Sequence, residues 1–136
     1  VEIDRFYPHH PSAVWQALTD PVALSRWLTP VTGFAVEVGN HFILNVPSQP
    51  PGEIACEVLA VQSGAGLTLG WVDLRAQRPA RWILDWRLRP EGRGTRMFLH
   101  HSGFNTDDRR QKMARNAMER MWRRRMSELG RLLDGG

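Results

Sequence analysis

The stretch DDRRQKMARNAMERMWRRRMSELGRLL, Asp107 to Leu133, decides the fold. Ala114 (or Met113), Ala117, Met118, Met121, Trp122, Leu129, Leu132 and Leu133 recur at three- and four-residue spacing, which puts them on one side of a helix. Arg115, Glu119, Arg120, Arg123, Arg124, Ser127 and Arg131 fill much of the other side. Thr106 or Asn105 is expected to cap the first amides, Asp107 and Asp108 suit the positive end of the helix dipole, and Gly135 and Gly136 stop the helix. A helix of this length with one apolar face needs a wide apolar surface to lie on.

Residues 32–104 supply that surface, because from Thr32 the hydrophobic period becomes two. Phe34, Val36 and Val38 predict one strand, Gly39-Asn40 a hairpin turn, and Phe42, Leu44 and Val46 the next strand. Glu53 to Val61 carries Ile54, Cys56 and Val58 on one face, with Leu59 and Val61 on the other. Leu67, Leu69 and Trp71 share a face, as do Trp82, Leu84, Trp86 and Leu88, and then Thr95, Met97, Leu99 and His101. Ahead of these, Glu2 to Tyr7 reads as an opening strand with Ile3 and, less strictly, Phe6 as its apolar positions. Pro11 and Pro21 start two short helices bearing Val14, Trp15, Ala17, Leu18 and then Leu24, Trp27, Leu28. The expected order is one strand, two short helices, six strands and one long helix, in a single α+β domain over residues 1–136. An antiparallel sheet with one apolar face must cover it, and the last helix alone is long enough.

Composition narrows the function classes. Hydrophobic residues make up 42% and charged residues 24%, as in an ordinary globular domain. No apolar run reaches membrane-spanning length, and Val1 to Arg5 offers no signal-like segment, so a cytoplasmic setting without membrane insertion is expected. The single Cys56 excludes an internal disulfide and a cysteine-cluster metal site, and it reads as a small packing residue. Six Trp against one Tyr is the telling excess, since Trp suits the lining of apolar interiors.

Several phrases together resemble the START-like (SRPBCC) superfamily, and within it the bacterial homologues of the activator of the heat-shock-protein-90 ATPase. They are Val14-Trp15-Gln16-Ala17-Leu18-Thr19-Asp20-Pro21, Leu24 with Trp27-Leu28, Val38-Gly39 with Phe42, and Glu57-Val58-Leu59. Leu67 to Trp71, Gly94-Thr95-Arg96 with Leu99, and His101-Ser102-Gly103-Phe104 complete the set, which runs over nearly the whole chain. The resemblance implies a helix-grip fold: a seven-stranded antiparallel sheet wrapped round the C-terminal helix, two short helices between strands 1 and 2, and an internal cavity. It also implies a family whose members bind lipids, sterols, hormones or polyketides, catalyse cyclisation, or assist chaperones, so fold is specified better than function.

Alternation and the resemblance together place Phe42, Leu44, Trp71, Trp82, Trp86, Leu99 and His101 on the concave face, with Met118 and Trp122 from the helix and Trp27 from the second short helix. Apolar and aromatic walls with few polar groups suit a small hydrophobic ligand, aromatic or lipid-like, bound without catalysis, cofactor or metal. His101 is the polar contact. The alternatives are a polyketide aromatase/cyclase with His101 as acid or base, and a chaperone-associated or stress-related interaction module. His101 lacks an orienting carboxylate, since Asp85 on the adjacent strand faces the other way. Adjacent His100 and His101 point to opposite faces and cannot share a metal ion. No Gly-rich phosphate loop, Ser elbow or metal-binding helix motif is present. Arg109, Arg110, Arg115, Arg120, Arg123, Arg124 and Arg131 read as a solvated face rather than a nucleic-acid surface, because Glu119 and Glu128 interrupt them without interleaved aromatics. The expected state is a monomer or homodimer, and no chaperone-binding surface stands out in the residues.

Overall fold

The computed structural model describes residues 1–135. Strand β1 (Glu2–Tyr7) is followed by helices α1 (Pro11–Thr19) and α2 (Pro21–Trp27), then by β2 (Val31–Thr32), β3 (His41–Val46), β4 (Gly52–Gln62), β5 (Gly66–Asp73), β6 (Arg81–Glu91) and β7 (Gly94–Ser102), and last by α3 (Arg109–Leu133). The seven strands form one antiparallel sheet in the order β1-β7-β6-β5-β4-β3-β2. Consecutive strands from β2 to β7 are neighbours, and β1 closes the far edge against β7. This is the helix-grip architecture.

The inward face is the one that alternation predicts. Across β3–β7, Phe42, Leu44, Ile54, Cys56, Val58, Leu67, Leu69, Trp71, Trp82, Leu84, Trp86, Leu88, Thr95, Met97, Leu99 and His101 are all buried. Register explains why rows form: Cys56 pairs with Trp71, Trp71 with Trp82, and Leu84 with His101, so each inward position meets another across the ladder. A bulge between Val58 and Ala60 shifts the phase of β4 and pairs Val61 with inward-facing Leu67, so Leu59 and Val61 do not share a face as expected.

Local chemistry sets the helix starts. His10 Nδ1 accepts the Ser12 amide at the head of α1, and Asp20 accepts the Val22 amide at the head of α2. Trp27 Nε1–H donates to the Ala17 carbonyl at 2.8 Å, which locks the two helices together. α3 starts at Arg109 with Asp108 as its cap, not at Asp107 behind Thr106 or Asn105. Asn105 instead bonds the Asp107 amide and Gln111 bonds the Asn105 amide, so both shape the approaching turn.

Three further expectations are corrected. Residues 34–38 form no strand; the short β2 lies earlier, at Val31–Thr32. Asn40 is the cause: its side chain accepts from the Ala35 amide and donates to the Gly33 carbonyl, both at 3.0 Å, and so winds the segment into a loop. Gly33 and Gly39 take the positive φ values of 80° and 90° which that loop needs. In β1, Tyr7 rather than Phe6 faces inward, and its hydroxyl donates to the Met126 carbonyl at 2.8 Å. On α3, Ala117 and Met113 are exposed while Met126 is buried beside Trp122 and Leu129, so the apolar stripe runs Ala114, Met118, Met121–Trp122, Met126, Leu129.

Trp86 is 2% exposed at the centre of this core. Trp86→Ala should therefore cost about 3–5 kcal/mol in urea unfolding, as for other fully packed aromatic side chains. A loss below about 1 kcal/mol would mean that the ring borders open space rather than a packed interior.

Candidate functional site

Between the sheet and α3 lies a cluster of rings. Trp71 stands 5.0 Å from His101 and 5.7 Å from Trp122, Trp86 stands 5.9 Å from Trp27 and 6.1 Å from Trp122, and Trp82 stacks on Phe104 at 4.2 Å (centroid distances). Most pairs are tilted or edge-to-face, the arrangements that aromatic quadrupoles favour. Trp27, Trp82, Trp86, Leu99, His101 and Trp122 thus meet as packed neighbours in the interior.

The rings leave little room. The void beside them, lined by Leu18, Leu24, Leu28, Phe34, Phe42, Leu44, Leu69, Trp71 and Trp86, holds about 10 Å³. That is about the size of one water molecule. The resemblance implies a wider internal cavity; here the indoles of Trp27, Trp71, Trp82, Trp86 and Trp122, with Met97 and Met126, fill much of it.

A larger space opens further out. A cleft of about 100 Å³ lies between α3 and the ends of β3, β4 and β5. Leu28, Leu44, Val46, Ile54, Trp71, Met118 and Met121 line it, with Thr29, Pro47, Arg75 and Arg125 completing the walls. Leu28, Leu44 and Trp71 border both the cleft and the inner void, so they form the partition between them. Of the residues singled out in the sequence, Leu44, Trp71 and Met118 line the cleft, and Phe42 and Trp86 line the void with Leu44 and Trp71. Arg75 and Arg125 were not anticipated. Arg125 was legible by helix arithmetic, being seven residues after Met118 and four after Met121. Arg75 lies in the polar connection between β5 and β6 and carries no sequence signal.

His101 sits at the inner end of this arrangement, fully buried. Trp122 Nε1–H donates to its Nδ1 at 3.1 Å. An indole can only donate, so Nδ1 is the unprotonated nitrogen and Nε2 carries the hydrogen. Nε2, Trp71 Nε1 and Trp86 Nε1 make no hydrogen bond within the described protein. Burial pushes the imidazole pKa down to about 3, with smaller contributions in the same direction from the N-terminal ammonium and His100. His101 is therefore neutral at physiological pH. Burial likewise pushes the Cys56 thiol up to about 12, which leaves it a packing residue. Among the described residues no group of three His, Cys, Asp or Glu side chains converges to hold a metal ion, and no helix is long and apolar enough to cross a membrane.

The lowered pKa gives stability a definite pH dependence. Above pH about 6.5 the imidazole is neutral in both states and its packing is retained in full. As pH falls below that value the unfolded chain takes a proton that the folded chain refuses until about pH 3, so stability declines with acidity. Between pH 7 and pH 5 the protein should lose about 2 kcal/mol more than His101→Asn, which keeps an acceptor for Trp122 but has no proton to bind. Urea unfolding of the two proteins at both pH values checks this; parallel losses would mean that His101 titrates normally.

Comparison with known proteins places this geometry in context. A family model described as activator of Hsp90 ATPase homolog 1-like protein matches residues 8–134. Among solved structures, MLL2253 from Mesorhizobium loti is similar with a TM-score of 0.88 and 31% identity, over 98% of this chain and 96% of that one. CV1439 from Chromobacterium violaceum has a TM-score of 0.85 and 19% identity, over 98% and 95%. DynU16, a protein in the dynemicin biosynthetic locus, has a TM-score of 0.82 and 18% identity, over 98% of this chain but 46% of its own. The last two are likenesses of fold alone. No curated protein matches. With nearly its whole length matched by the family model and its strand order that of the helix-grip fold, the chain belongs to the activator of Hsp90 ATPase homolog 1-like family.

Proposed function

We propose that this protein binds a small apolar molecule in the cleft between α3 and the ends of β3–β5, and does not transform it. The observation that carries this reading is the cleft itself: an open space of about 100 Å³ walled by Leu44, Ile54, Trp71, Met118 and Met121. Ligand sites have mostly apolar walls with a few polar groups at defined points, and this one has two arginines at its rim. An engineered cavity of about 150 Å³ holds benzene, and this cleft of about 100 Å³ is open on one side, so its scale is that of one ring or a short acyl chain. Unbranched Met118 and Met121 can shift rotamer to admit somewhat more.

Two features favour binding over the other classes. An acid–base role for His101 would need a proton exchanged near neutrality and room for a substrate beside the ring. Its pKa of about 3 and the filled interior speak against both. A protein-interaction module would present a contiguous apolar patch, whereas the exposed large apolar residues Phe6, Val22, Val38, Leu74 and Met113 are spread over five separate segments.

Toluene, indole and 1-hexanol serve as probes, followed by proton–nitrogen correlation NMR. The Trp71 indole and the backbone amides of Leu44, Met118 and Met121 should shift in a saturable way with at least one probe, and Met118→Trp, which fills the cleft, should abolish the response. Absence of any saturable shift would refute the reading. So would shifts centred on the Trp86 and Trp122 indoles, which would move the site into the interior.

A further inference from the structure

The cleft is apolar along its walls but not neutral at its mouth. Asp73 ends the inward row Leu67, Leu69, Trp71 on β5, opposite Ile54. Arg75 closes on it with two side-chain hydrogen bonds, Nε to Oδ1 at 2.9 Å and Nη2 to Oδ2 at 2.7 Å. Burial raises the Asp73 pKa, but these bonds outweigh it and hold the carboxyl below its ordinary value. The Arg75 stem lies on Gly52, where a Cβ would overlap its Cγ and Cδ. The charge of Arg75 is thus matched within the protein.

Arg125 is different. It lies on the same helical stripe as Met118 and Met121, is half-buried, and lines the cleft. It makes no ion pair or side-chain hydrogen bond among the described residues. The acids that flank it on α3 are engaged elsewhere: Glu128 with Arg131 at 2.8 Å and Glu119 with Arg115 at 3.5 Å. A half-buried arginine without a counter-ion, beside apolar walls, suits an anion whose body is apolar.

Resting on the cleft reading above, we infer that the ligand is a compact carboxylic acid, its apolar and preferably aromatic body on Trp71, Met118 and Met121 and its carboxylate on Arg125. The planar fork of an arginine matches a carboxylate through two parallel hydrogen bonds, and ring stacking on Trp71 with methionine sulfur at the ring edge favours an aryl group. The reverse orientation is disfavoured because the Nε and Nη2 donors of Arg75, the other arginine of the cleft, are already taken by Asp73.

The test compares 3-phenylpropionate with 3-phenylpropionamide, which share a shape and differ in charge, by titration of the Trp71 indole resonance at neutral pH. The acid should bind the unaltered protein roughly 10- to 100-fold more tightly than the amide, the advantage of a charge-assisted pair. Arg125→Gln should erase that preference while the amide still binds. Arg125→Lys, which keeps the charge and loses the fork, should retain part of it, and Arg120→Gln, on the exposed face, should retain all of it. Equal affinities for acid and amide in the unaltered protein would overturn the head-group inference and leave the cleft reading standing. A preference that survives Arg125→Gln would overturn the role of Arg125. Binding of neither probe would overturn this inference, and would remove the cleft reading with it if toluene, indole and 1-hexanol also fail to bind.

Discussion

The fold depends on one demand: α3 must cover the concave face of the sheet, and it does so by driving Trp122 into the interior. There the indole meets Trp71 and Trp86 and gives its single hydrogen bond to His101 Nδ1 on β7. The bond requires a neutral imidazole, because a protonated Nδ1 has no lone pair to offer. Burial meets that requirement by disfavouring the charged ring. Two other large side chains tie elements in the same way. Tyr7 reaches from β1 to the Met126 carbonyl, and Trp27 from α2 to the Ala17 carbonyl. Each fills space with its body and joins two elements with its polar tip.

Such packing fixes where a ligand has room. Trp27, Trp71, Trp82, Trp86 and Trp122 occupy the region that the fold could have left hollow, and the void beside them holds about 10 Å³. Usable space is displaced outward to the cleft, where α3 and the β3–β5 end of the sheet diverge. The partition of Leu28, Leu44 and Trp71 then separates a rigid interior from an adaptable, methionine-lined mouth. On the proposed reading, stability and binding fall to neighbouring sets of residues that share Leu28, Leu44 and Trp71.

Much of this was legible in the sequence. Period-two alternation identified the inward rows of β3 to β7, and three- and four-residue spacing identified α3, because burial imposes those periods directly. The failures have physical causes. The segment 34–38 alternates like a strand, yet the two hydrogen bonds of the Asn40 side chain and two positive-φ glycines fold it into a loop, which no hydrophobic pattern reveals. Tyr7 replaced Phe6 as the inward residue of β1 because its hydroxyl has a carbonyl to meet on α3, a long-range fact. The difference between a hollow and a filled interior is one of volume, whereas periodicity reports only direction. The unpaired state of Arg125 depends on which acids its neighbours engage, and that too is settled in three dimensions.

The division between a closed interior and an open cleft is tested most directly by a crystal structure of the protein under xenon pressure. Xenon is an apolar probe with no preferred hydrogen bonds, and it occupies empty apolar space wherever that space exists. The expected result is one xenon site against Trp71, Met118 and Met121, with no occupancy among Trp86, Trp122 and His101. Xenon seated between Trp86 and Trp122 would contradict the account, for it would mean that the indole cluster encloses a real cavity and that the ligand site lies inside the sheet.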